Sequence, residues 1–208
     1  MNYRSAVERA LAQQEDGWEY LYNKTYKDMY YCALMLLNRS TDAEDIVQTA
    51  YMQAYQKLDT LRDPNKFPAW MKRIVINLAI RYQEKNKPLV FKSFDSEDIG
   101  ESELAWEDND TYDPIALAES KDVKRTLDEL IGELPNDQRH TLLLYYYEGM
   151  TQSEIAEIFE CSLSTVKSRL TYAKKKMKEK LEKKLSKGYL LGEAALMPHF
   201  MNLLIKII

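Results

Sequence analysis

A stretch of 21 residues that carries only acidic charge divides this sequence. Between Ser93 and Asp113 lysine and arginine are absent, and nine carboxylates follow one another: Asp95, Glu97, Asp98, Glu101, Glu103, Glu107, Asp108, Asp110 and Asp113. Like charges at this density repel one another and resist burial, so the block predicts an extended linker. We therefore expect two domains, at 1–92 and 114–187, joined by an acidic linker at 93–113 and followed by a tail at 188–208.

Glycine and proline are scarce, at six residues each among 208. Both residues interrupt helices, so their scarcity favours an all-α fold of two small helical domains. Cys32 and Cys161 lie far apart on apolar stretches, which indicates two reduced core residues rather than a disulfide framework. The amino terminus has mixed charges and no apolar segment of signal-peptide length, so a cytoplasmic protein is expected.

The sequence offers little material for enzyme chemistry. His140 and His199 are the only histidines, the cysteines are not clustered, and no glycine-rich phosphate loop occurs. Metal coordination and histidine-based acid–base catalysis need such groups. We therefore expect no catalytic residue, no metal site, no cofactor and no small-molecule substrate.

Two helix starts occur close together in the second half. Thr151 and Glu154 have the spacing of a capping box, and Ser164 is suited to be the N-cap of a second helix. Apolar residues then recur every three or four positions and predict one buried stripe: Val166, Leu170, Ala173 and Met177. The pattern predicts a helix-turn-helix. A glutamate, Glu160, stands where the turn usually carries glycine, which predicts a turn of higher conformational cost.

The second of these helices is basic. From Ser164 to Lys187 ten lysine and arginine residues face only Glu179 and Glu182. In a helix-turn-helix the second helix enters the major groove, and basic side chains hold phosphates. The candidate DNA contacts are hydroxyl-bearing or basic: Ser164, Thr165, Lys167, Ser168, Arg169, Thr171, Lys174 and Lys175. The alternative is a solvated lysine-rich face on a purely structural helical hairpin.

A further helix is expected in the first half, after a possible capping box at Thr41 and Glu44. Its apolar residues are in helical register and predict a core face: Ile46, Val47, Ala50, Tyr51, Ala54 and Leu58. Four polar residues are expected near its start and on its polar side: Asp42, Glu44, Asp45 and Gln48. Carboxylates there favour the positive end of the helix dipole, so capping alone would explain most of them.

Phe67 and Pro68 open another predicted helix, and this one combines aromatic and basic residues. Aromatic rings can stack on unpaired bases, while lysine and arginine can hold the strand. The candidate nucleic-acid contacts are Trp70, Lys72, Arg73, Asn77, Arg81, Lys85 and Lys87. Lys66 adds to this basic stretch, which contains one acid, Glu84. A role for Trp70 in the core is the alternative.

Taken in order, the segments 42–48, Phe67–Arg81, Glu133–Pro135 and Val166–Leu170 resemble the extracytoplasmic-function (ECF) sigma factors of bacterial RNA polymerase, members of the sigma-70 family. The resemblance covers about Tyr20 to Leu185. It implies an alternative sigma factor that binds core RNA polymerase and directs promoter-specific transcription initiation.

The resemblance also implies roles for the candidate residues. Asp42, Glu44, Asp45 and Gln48 would dock on the clamp coiled coil of the polymerase. The segment Trp70–Arg81 would recognise and melt the minus-ten element, with Asn77 near the pocket for a flipped base. The helix from Ser164 would recognise the minus-thirty-five element beside a surface that holds the polymerase flap.

The acidic linker would then run through a positively charged channel in the polymerase, where it would mimic nucleic acid. An anti-sigma factor is an expected further partner. Thr49 stands where many members of the family have glutamate, which leaves the docking detail at that position open.

Two other classes would explain part of the sequence. A helix-turn-helix regulator that binds DNA without polymerase accounts for the second half only. An anti-sigma or adaptor protein accounts for the helices and the acidic linker but has no use for the clustered bases.

The tail at 188–208 is apolar but interrupted by polar residues, so it does not predict a membrane span. We expect an amphipathic helix that folds back on the protein; contact with an anti-sigma partner, a weak membrane association or a truncated longer tail are the alternatives.

Overall fold

The computed structural model describes residues 1–85 and 126–186. The chain divides into two compact units, with the boundary between Val90 and Phe91, so each stretch belongs to one unit. All regular structure within the two stretches is helical, which confirms the predicted all-α class. The linker at 93–113, the tail at 188–208 and Lys87 lie outside the described residues.

In the first unit, the described stretch contains four α-helices: α1 (Tyr3–Leu11), α2 (Glu15–Leu37), α3 (Ser40–Lys57) and α4 (Phe67–Lys85). Two short 3-10 turns, Leu58–Thr60 and Pro64–Lys66, connect α3 to α4. The long helix α2 packs against the other three. Large side chains from these helices are fully buried and form the core: Val7, Leu21, Met29, Leu36, Phe67, Met71 and Ile76.

The predicted core face of α3 is confirmed. Ile46, Val47, Ala50, Ala54 and Leu58 are all buried. Tyr51 lies at the edge of this face, where its hydroxyl is 2.7 Å from the Thr25 hydroxyl oxygen. Burial raises the pKa of Tyr51 to about 12, so the phenol stays protonated at neutral pH.

The predicted capping box at Thr41 and Glu44 is wrong. Helix α3 begins at Ser40, and Arg39 is its N-cap without a side-chain hydrogen bond to the helix amides. The reason is the short connection: α2 ends at Leu37, and its C-cap Asn38 has a left-handed φ of 56°, so only Asn38 and Arg39 separate it from the next helix. The Asp42 carboxylate instead lies 3.4 Å from the Arg39 guanidinium.

Helices α1 and α2 approach each other very closely at Gly17. A Cβ atom at this position would lie 2.5 Å from the Ala10 nitrogen and 2.6 Å from the Ala6 oxygen. These are backbone atoms, which cannot rotate out of the way. A residue without a side chain is therefore required where the two helices meet.

In the second unit, the described stretch contains α5 (126–132), α6 (Asn136–Tyr146), α7 (Gln152–Ile158) and α8 (Leu163–Ser186). Helix α8 packs on both α6 and α7. The predicted stripe of Val166, Leu170, Ala173 and Met177 is buried, and Leu181 continues it. Facing side chains from the other helices complete the core: Leu130, Leu142, Leu144 and Ile155.

The start of α7 matches the prediction. The Thr151 backbone amide donates a 2.8 Å hydrogen bond to the Glu154 carboxylate, and the Glu154 amide donates to the Thr151 hydroxyl at 3.3 Å. This reciprocal arrangement is a capping box.

The turn between α7 and α8 is closed by a left-handed residue. Glu160 has φ 48°, and the Cys161 amide donates a 3.0 Å hydrogen bond to the Ala156 carbonyl. A bond of this span across a left-handed residue is the Schellman motif, in which glycine is the usual choice. The expected conformational cost of Glu160 is thus present in the structure.

The N-cap of α8 is Ser162, so the assignment of Ser164 to that position is wrong. The Ser162 hydroxyl accepts a hydrogen bond from the Thr165 amide at 3.1 Å, and α8 begins at Leu163. Ser164 lies inside the first turn, with its hydroxyl oxygen 2.7 Å from that of Ser162. The turn needs fewer residues than the apolar pattern suggested because Glu160 adopts a positive φ.

Candidate nucleic-acid interface

The side of α8 that faces away from the core carries most of the predicted DNA contacts. Five of the eight are exposed: Ser164, Lys167, Ser168, Thr171 and Lys175. Helical periodicity places Ser164, Ser168, Thr171 and Lys175 on one face, because they are three or four residues apart. This face presents hydroxyls and ammonium groups, which suit base edges and phosphates.

Arg169, in contrast, is engaged within the protein. Its guanidinium donates a 2.7 Å hydrogen bond to the Asp137 carboxylate at the start of α6. The same guanidinium lies 5.2 Å from the centre of the Phe159 ring, at the end of α7. The Arg169 side chain is 22% exposed. Arg169 therefore joins α8 to both preceding helices.

Thr165 and Lys174 are also only partly exposed. The Thr165 hydroxyl oxygen lies 2.8 Å from that of Ser162, in the cap of α8. The Lys174 ammonium lies 5.4 Å from the centre of the Tyr146 ring. Farther along α8, Lys180 forms an ion pair with Glu133. These contacts fix the orientation of α8 on the rest of the unit.

Charge in this unit is distributed unevenly. The described stretch 126–186 contains ten basic and ten acidic residues, and nine of the bases lie on α8. The tenth, Arg139, is buried in α6, where desolvation lowers the pKa of its guanidinium to about 10. The acids lie mostly on the other helices and turns. The unit therefore has one basic side without a net excess of basic residues in this stretch.

The exposed face of α8 also carries an aromatic residue that the sequence analysis missed. Tyr172 is 61% exposed and lies between Ser168 and Lys175 in helical register. The signal was present in the sequence, since Tyr172 falls outside the stripe of Val166, Leu170 and Ala173. Its side chain is neither charged nor a small hydroxyl, so residue type alone did not mark it as a candidate.

Helix α4 presents a second face with the composition of a nucleic-acid site. Trp70, Arg73, Asn77 and Arg81 are spaced by three, four and four residues, so they share one face of the helix. Arg73 and Arg81 are exposed, and Asn77 is half-buried between them. Lys85 is exposed at the end of α4. The predicted residues are thus largely brought together.

Lys72 and Trp70 depart from the simple prediction. Lys72 is in helical register with Ile76, Ala79 and Gln83, which are buried, so it lies toward the core side of α4 and away from the face of Asn77 and Arg81. Trp70 is partly buried, with its ring 5.9 Å from the ring of Phe67. Both roles proposed for Trp70 are therefore compatible with its position, because the ring contacts the core and keeps an accessible surface.

Helix α3 carries the predicted polymerase contacts. Glu44, Asp45 and Gln48 are exposed, but Asp42 is buried at 7% exposure. The expected position of Asp42 on the polar side is therefore wrong, because its carboxylate is drawn toward Arg39 and the hydroxyl of Tyr82.

Two exposed apolar residues extend the α3 surface and were missed by the sequence analysis. Met52 is 67% and Tyr55 is 64% exposed, and both follow Asp45 and Gln48 along the same side of the helix. The Tyr55 ring lies 5.4 Å from the ring of Trp18 on α2. An acidic and polar patch continued by exposed apolar groups is typical of a protein-binding surface.

Comparisons with known proteins identify the family. The model described as Sigma-70 region 2 matches residues 21–88, and that described as Sigma-70, region 4 matches residues 124–177. "ECF RNA polymerase sigma factor SigW" of Bacillus subtilis (strain 168) is 30% identical over 160 residues, which cover 75% of this chain and 84% of that protein. The chain belongs to the ECF sigma factors.

This ECF sigma factor is similar to a longer protein and to a solved structure as well. "Probable RNA polymerase sigma factor RfaY" of Xanthomonas campestris pv. campestris is 30% identical over 72% of the chain, but the match spans only 36% of that protein. The sigma factor RpoE of Bartonella quintana, solved in complex with the anti-sigma factor NepR, is 22% identical. That match covers 79% of this chain and 96% of RpoE with a TM-score of 0.54, which shows a shared fold.

The described residues of the sigma factor contain no group of three or more His, Cys, Asp or Glu side chains placed to hold a metal ion. In the same two stretches, no helix has the length and apolar character needed to cross a membrane.

Proposed function

We propose that this chain is an alternative sigma factor that binds core RNA polymerase and directs initiation at specific promoters by recognising and opening their DNA. The observation that carries the proposal is the presence in one chain of two different helix faces whose side chains suit nucleic acid. One is the basic, hydroxyl-rich face of α8, and the other is the aromatic and basic face of α4.

The second unit holds duplex DNA in this proposal. Helix α8 enters the major groove at the minus-thirty-five element, with Ser164, Ser168 and Thr171 near base edges and Lys167 and Lys175 near phosphates. Arg169 orients α8 and does not contact the DNA itself, because its guanidinium is held by Asp137 and Phe159.

The first unit acts on the minus-ten element. Arg73 and Arg81 hold the backbone of one strand, while Asn77 and the accessible part of Trp70 receive bases that leave the stack. Unstacking costs on the order of a few kcal/mol per step, which these contacts and the anchored duplex must offset. No bond is made or broken by the sigma factor, and the polymerase performs the catalysis.

The polymerase contacts are assigned to the exposed side of α3. Glu44, Asp45 and Gln48 face outward, and Met52 and Tyr55 add apolar area to the same side. These residues would bind the clamp coiled coil of the polymerase. The surface of the second unit beside α8 would bind the flap. Asp42 supports this surface from within, by its contact with Arg39.

Three further assignments accompany this function. The acidic linker at 93–113 occupies a positively charged channel of the polymerase. Because core RNA polymerase and the chromosome are its partners, the protein acts in the cytoplasm. A regulatory anti-sigma factor is a further partner, as NepR is for RpoE.

The test is reconstitution with bacterial core RNA polymerase. Run-off transcription and permanganate footprinting on a genomic promoter library should show start sites and open bubbles that require the added protein. The chain alone should bind the same promoters weakly. Tight duplex binding without polymerase, together with no initiation in its presence, would support the regulator instead.

Variants of α4 sharpen this test. Asn77→Ala should reduce permanganate reactivity of the bubble and change base preference at the minus-ten element, because a contact to a flipped base is lost. Arg73→Ala should lower the slope of affinity against salt by roughly 0.7, the value for one phosphate contact on single-stranded DNA. Lys72→Ala is the matched control, since it removes a charge from the same helix outside the face of Arg73, Asn77 and Arg81. Equal effects of the two charge removals would contradict the assigned face.

A further inference from the structure

Tyr172 is a large apolar group on a surface that otherwise offers hydroxyls and charges. At 61% exposure it exceeds the other exposed large apolar residues of the described second unit, Tyr147 at 46% and Leu163 at 41%. Leaving a ring in water forgoes the stabilisation that burial would provide. The exposed ring is therefore available to contact a binding partner.

The surroundings of Tyr172 show where that partner lies. Ser168 is four residues before it and Lys175 three residues after it, so the ring lies between a hydroxyl and an ammonium group on the outward face of α8. Tyr145 and Tyr146 on α6 pair with each other at 4.8 Å between ring centres. Within residues 126–186, Tyr172 has no such ring pair. Its ring points to the same space as the groups assigned to DNA.

The groups that bases present in the major groove indicate what the Tyr172 ring can contact there. Each base pair presents hydrogen-bond donors and acceptors there, and thymine alone adds an apolar group, its C5-methyl. Hydroxyls and ammonium groups satisfy the polar groups and the phosphates. An aromatic face complements a methyl group, and thymine is the only base that presents a methyl group in the major groove.

We propose that Tyr172 contacts the C5-methyl group of one thymine in the upstream promoter element and so determines the base preferred at that position. This rests on the proposed function, because it assumes that α8 lies in the major groove at the minus-thirty-five element. The ring makes the contact, so Tyr172→Phe retains it. Tyr172→Ala removes it without disturbing the core, since the side chain is outside the buried stripe.

The expected effect follows from the burial of one methyl group. Such burial changes binding by roughly fourfold. Polymerase reconstituted with the full-length chain is first selected on a promoter library with a randomised upstream element. The wild type and Tyr172→Phe should enrich thymine at one position, and Tyr172→Ala should lose that enrichment while preferences at the other positions remain.

Deoxyuridine then tests the methyl group itself, because it differs from thymine only by lacking that methyl. Substitution at the identified position should weaken wild-type and Tyr172→Phe holoenzyme roughly fourfold, and should leave Tyr172→Ala unchanged. Substitution at other thymines of the element should affect all three proteins alike.

Several outcomes would overturn the assignment. If no thymine preference depends on Tyr172, or if Tyr172→Ala weakens all sequences equally, the residue contacts the backbone or the polymerase instead. If Tyr172→Ala keeps the wild-type sensitivity to deoxyuridine, another side chain meets the methyl group. In each case the holoenzyme still opens promoters, whereas failure of the proposed function would abolish opening with the wild type itself.

Discussion

At the scale of single residues, backbone geometry favours glycine at two positions for different reasons. Glu160 adopts a φ of 48°, a region where a Cβ atom crowds the following carbonyl. Gly17 lies within a helix, where glycine is ordinarily unfavourable, yet the backbone of α1 leaves no room for a Cβ. One position would gain from glycine and the other requires it.

Glu160→Gly should raise the free energy of unfolding of the second unit by about 0.5–1 kcal/mol. The gain is the relief of left-handed strain, reduced by the greater freedom of glycine in the unfolded chain. Urea denaturation followed by circular dichroism measures it. Glu182→Gly, at an exposed position inside α8, should lower the same quantity by about 1 kcal/mol. A loss of stability from both variants would show that the Glu160 turn is not strained.

Gly17→Ala should lower the free energy of unfolding of the first unit by about 2 kcal/mol or more. The added methyl would meet backbone atoms at 2.5 and 2.6 Å, so α1 must move away from α2 and lose contacts of Ala6 and Ala10. Denaturation in urea again provides the measurement. Gly149→Ala is a useful comparison, because a Cβ there meets nothing within 4 Å and only its φ of 65° opposes the change. An effect at Gly17 no larger than that at Gly149 would argue against the close approach.

At the scale of helices, α8 separates residues that hold it from residues that face outward. Arg169 belongs to the first group and Lys175 to the second. Lys175 has one long ion contact, 3.9 Å to Glu179, and both side chains are well exposed. Such a pair contributes little to stability, so its lysine is available for phosphate.

Lys175→Ala should therefore lower the slope of log affinity against log salt by about 0.9 and leave stability within about 0.5 kcal/mol. Arg169→Ala should instead destabilise the second unit and weaken promoter binding without that change in slope. Holoenzyme binding across a salt series, paired with urea denaturation, distinguishes them. A slope that falls by the same amount in Arg169→Ala would mean that Arg169 leaves Asp137 to bind phosphate.

Helix positions and core faces could largely be predicted from the sequence, because apolar spacing reports burial directly. The stripe from Val166 to Met177 and the face from Ile46 to Leu58 illustrate this. The N-cap residues of the helices were harder to predict. Whether Thr41 or Arg39 precedes α3, and whether Ser162 or Ser164 caps α8, depends on how few residues the connections need, which is set by the left-handed residues Asn38 and Glu160. No hydrophobic pattern contains that information.

Side-chain roles at the site were predicted only in part for a related reason. The type of residue indicates what a side chain can bind, but its neighbours in space determine what it already binds. Asp42, Arg169 and Lys72 all have suitable charges, yet Asp42 is buried, Arg169 pairs with Asp137 and Lys72 lies in register with the core of α4. Tyr172 shows the converse: its position outside the buried stripe predicts its exposure, but its residue type alone does not indicate what it binds.

At the scale of the whole molecule, net charge and local charge oppose each other. The chain carries a formal net charge of -4, although α8 is strongly basic. The nine carboxylates of the linker account for this difference. Their repulsion of phosphate should keep the free chain from binding DNA tightly before polymerase is present.

Replacement of these nine acids by asparagine and glutamine changes the net charge from -4 to +5. Binding of the isolated chain to an arbitrary duplex should then become measurably tighter at about 50 mM salt, and much of the gain should disappear at about 200 mM. Fluorescence anisotropy of a labelled duplex reports both. A control in which the residues of the linker are reordered, so that its composition and charge are unchanged, should behave as the wild type. No gain from the neutralised linker would mean that the linker charge does not govern binding by the free chain.

The one-sided placement of bases in the second unit has a consequence for rates. Nine bases lie on α8 and eight of the ten acids of residues 126–186 lie on the other helices and turns, so this stretch has a permanent dipole although its basic and acidic residues are equal in number. Near a DNA rod such a body experiences a torque that turns α8 toward the phosphates before any contact is made. The fraction of collisions that arrive with the correct side forward rises accordingly, and the search for a promoter is shortened by alignment rather than by attraction.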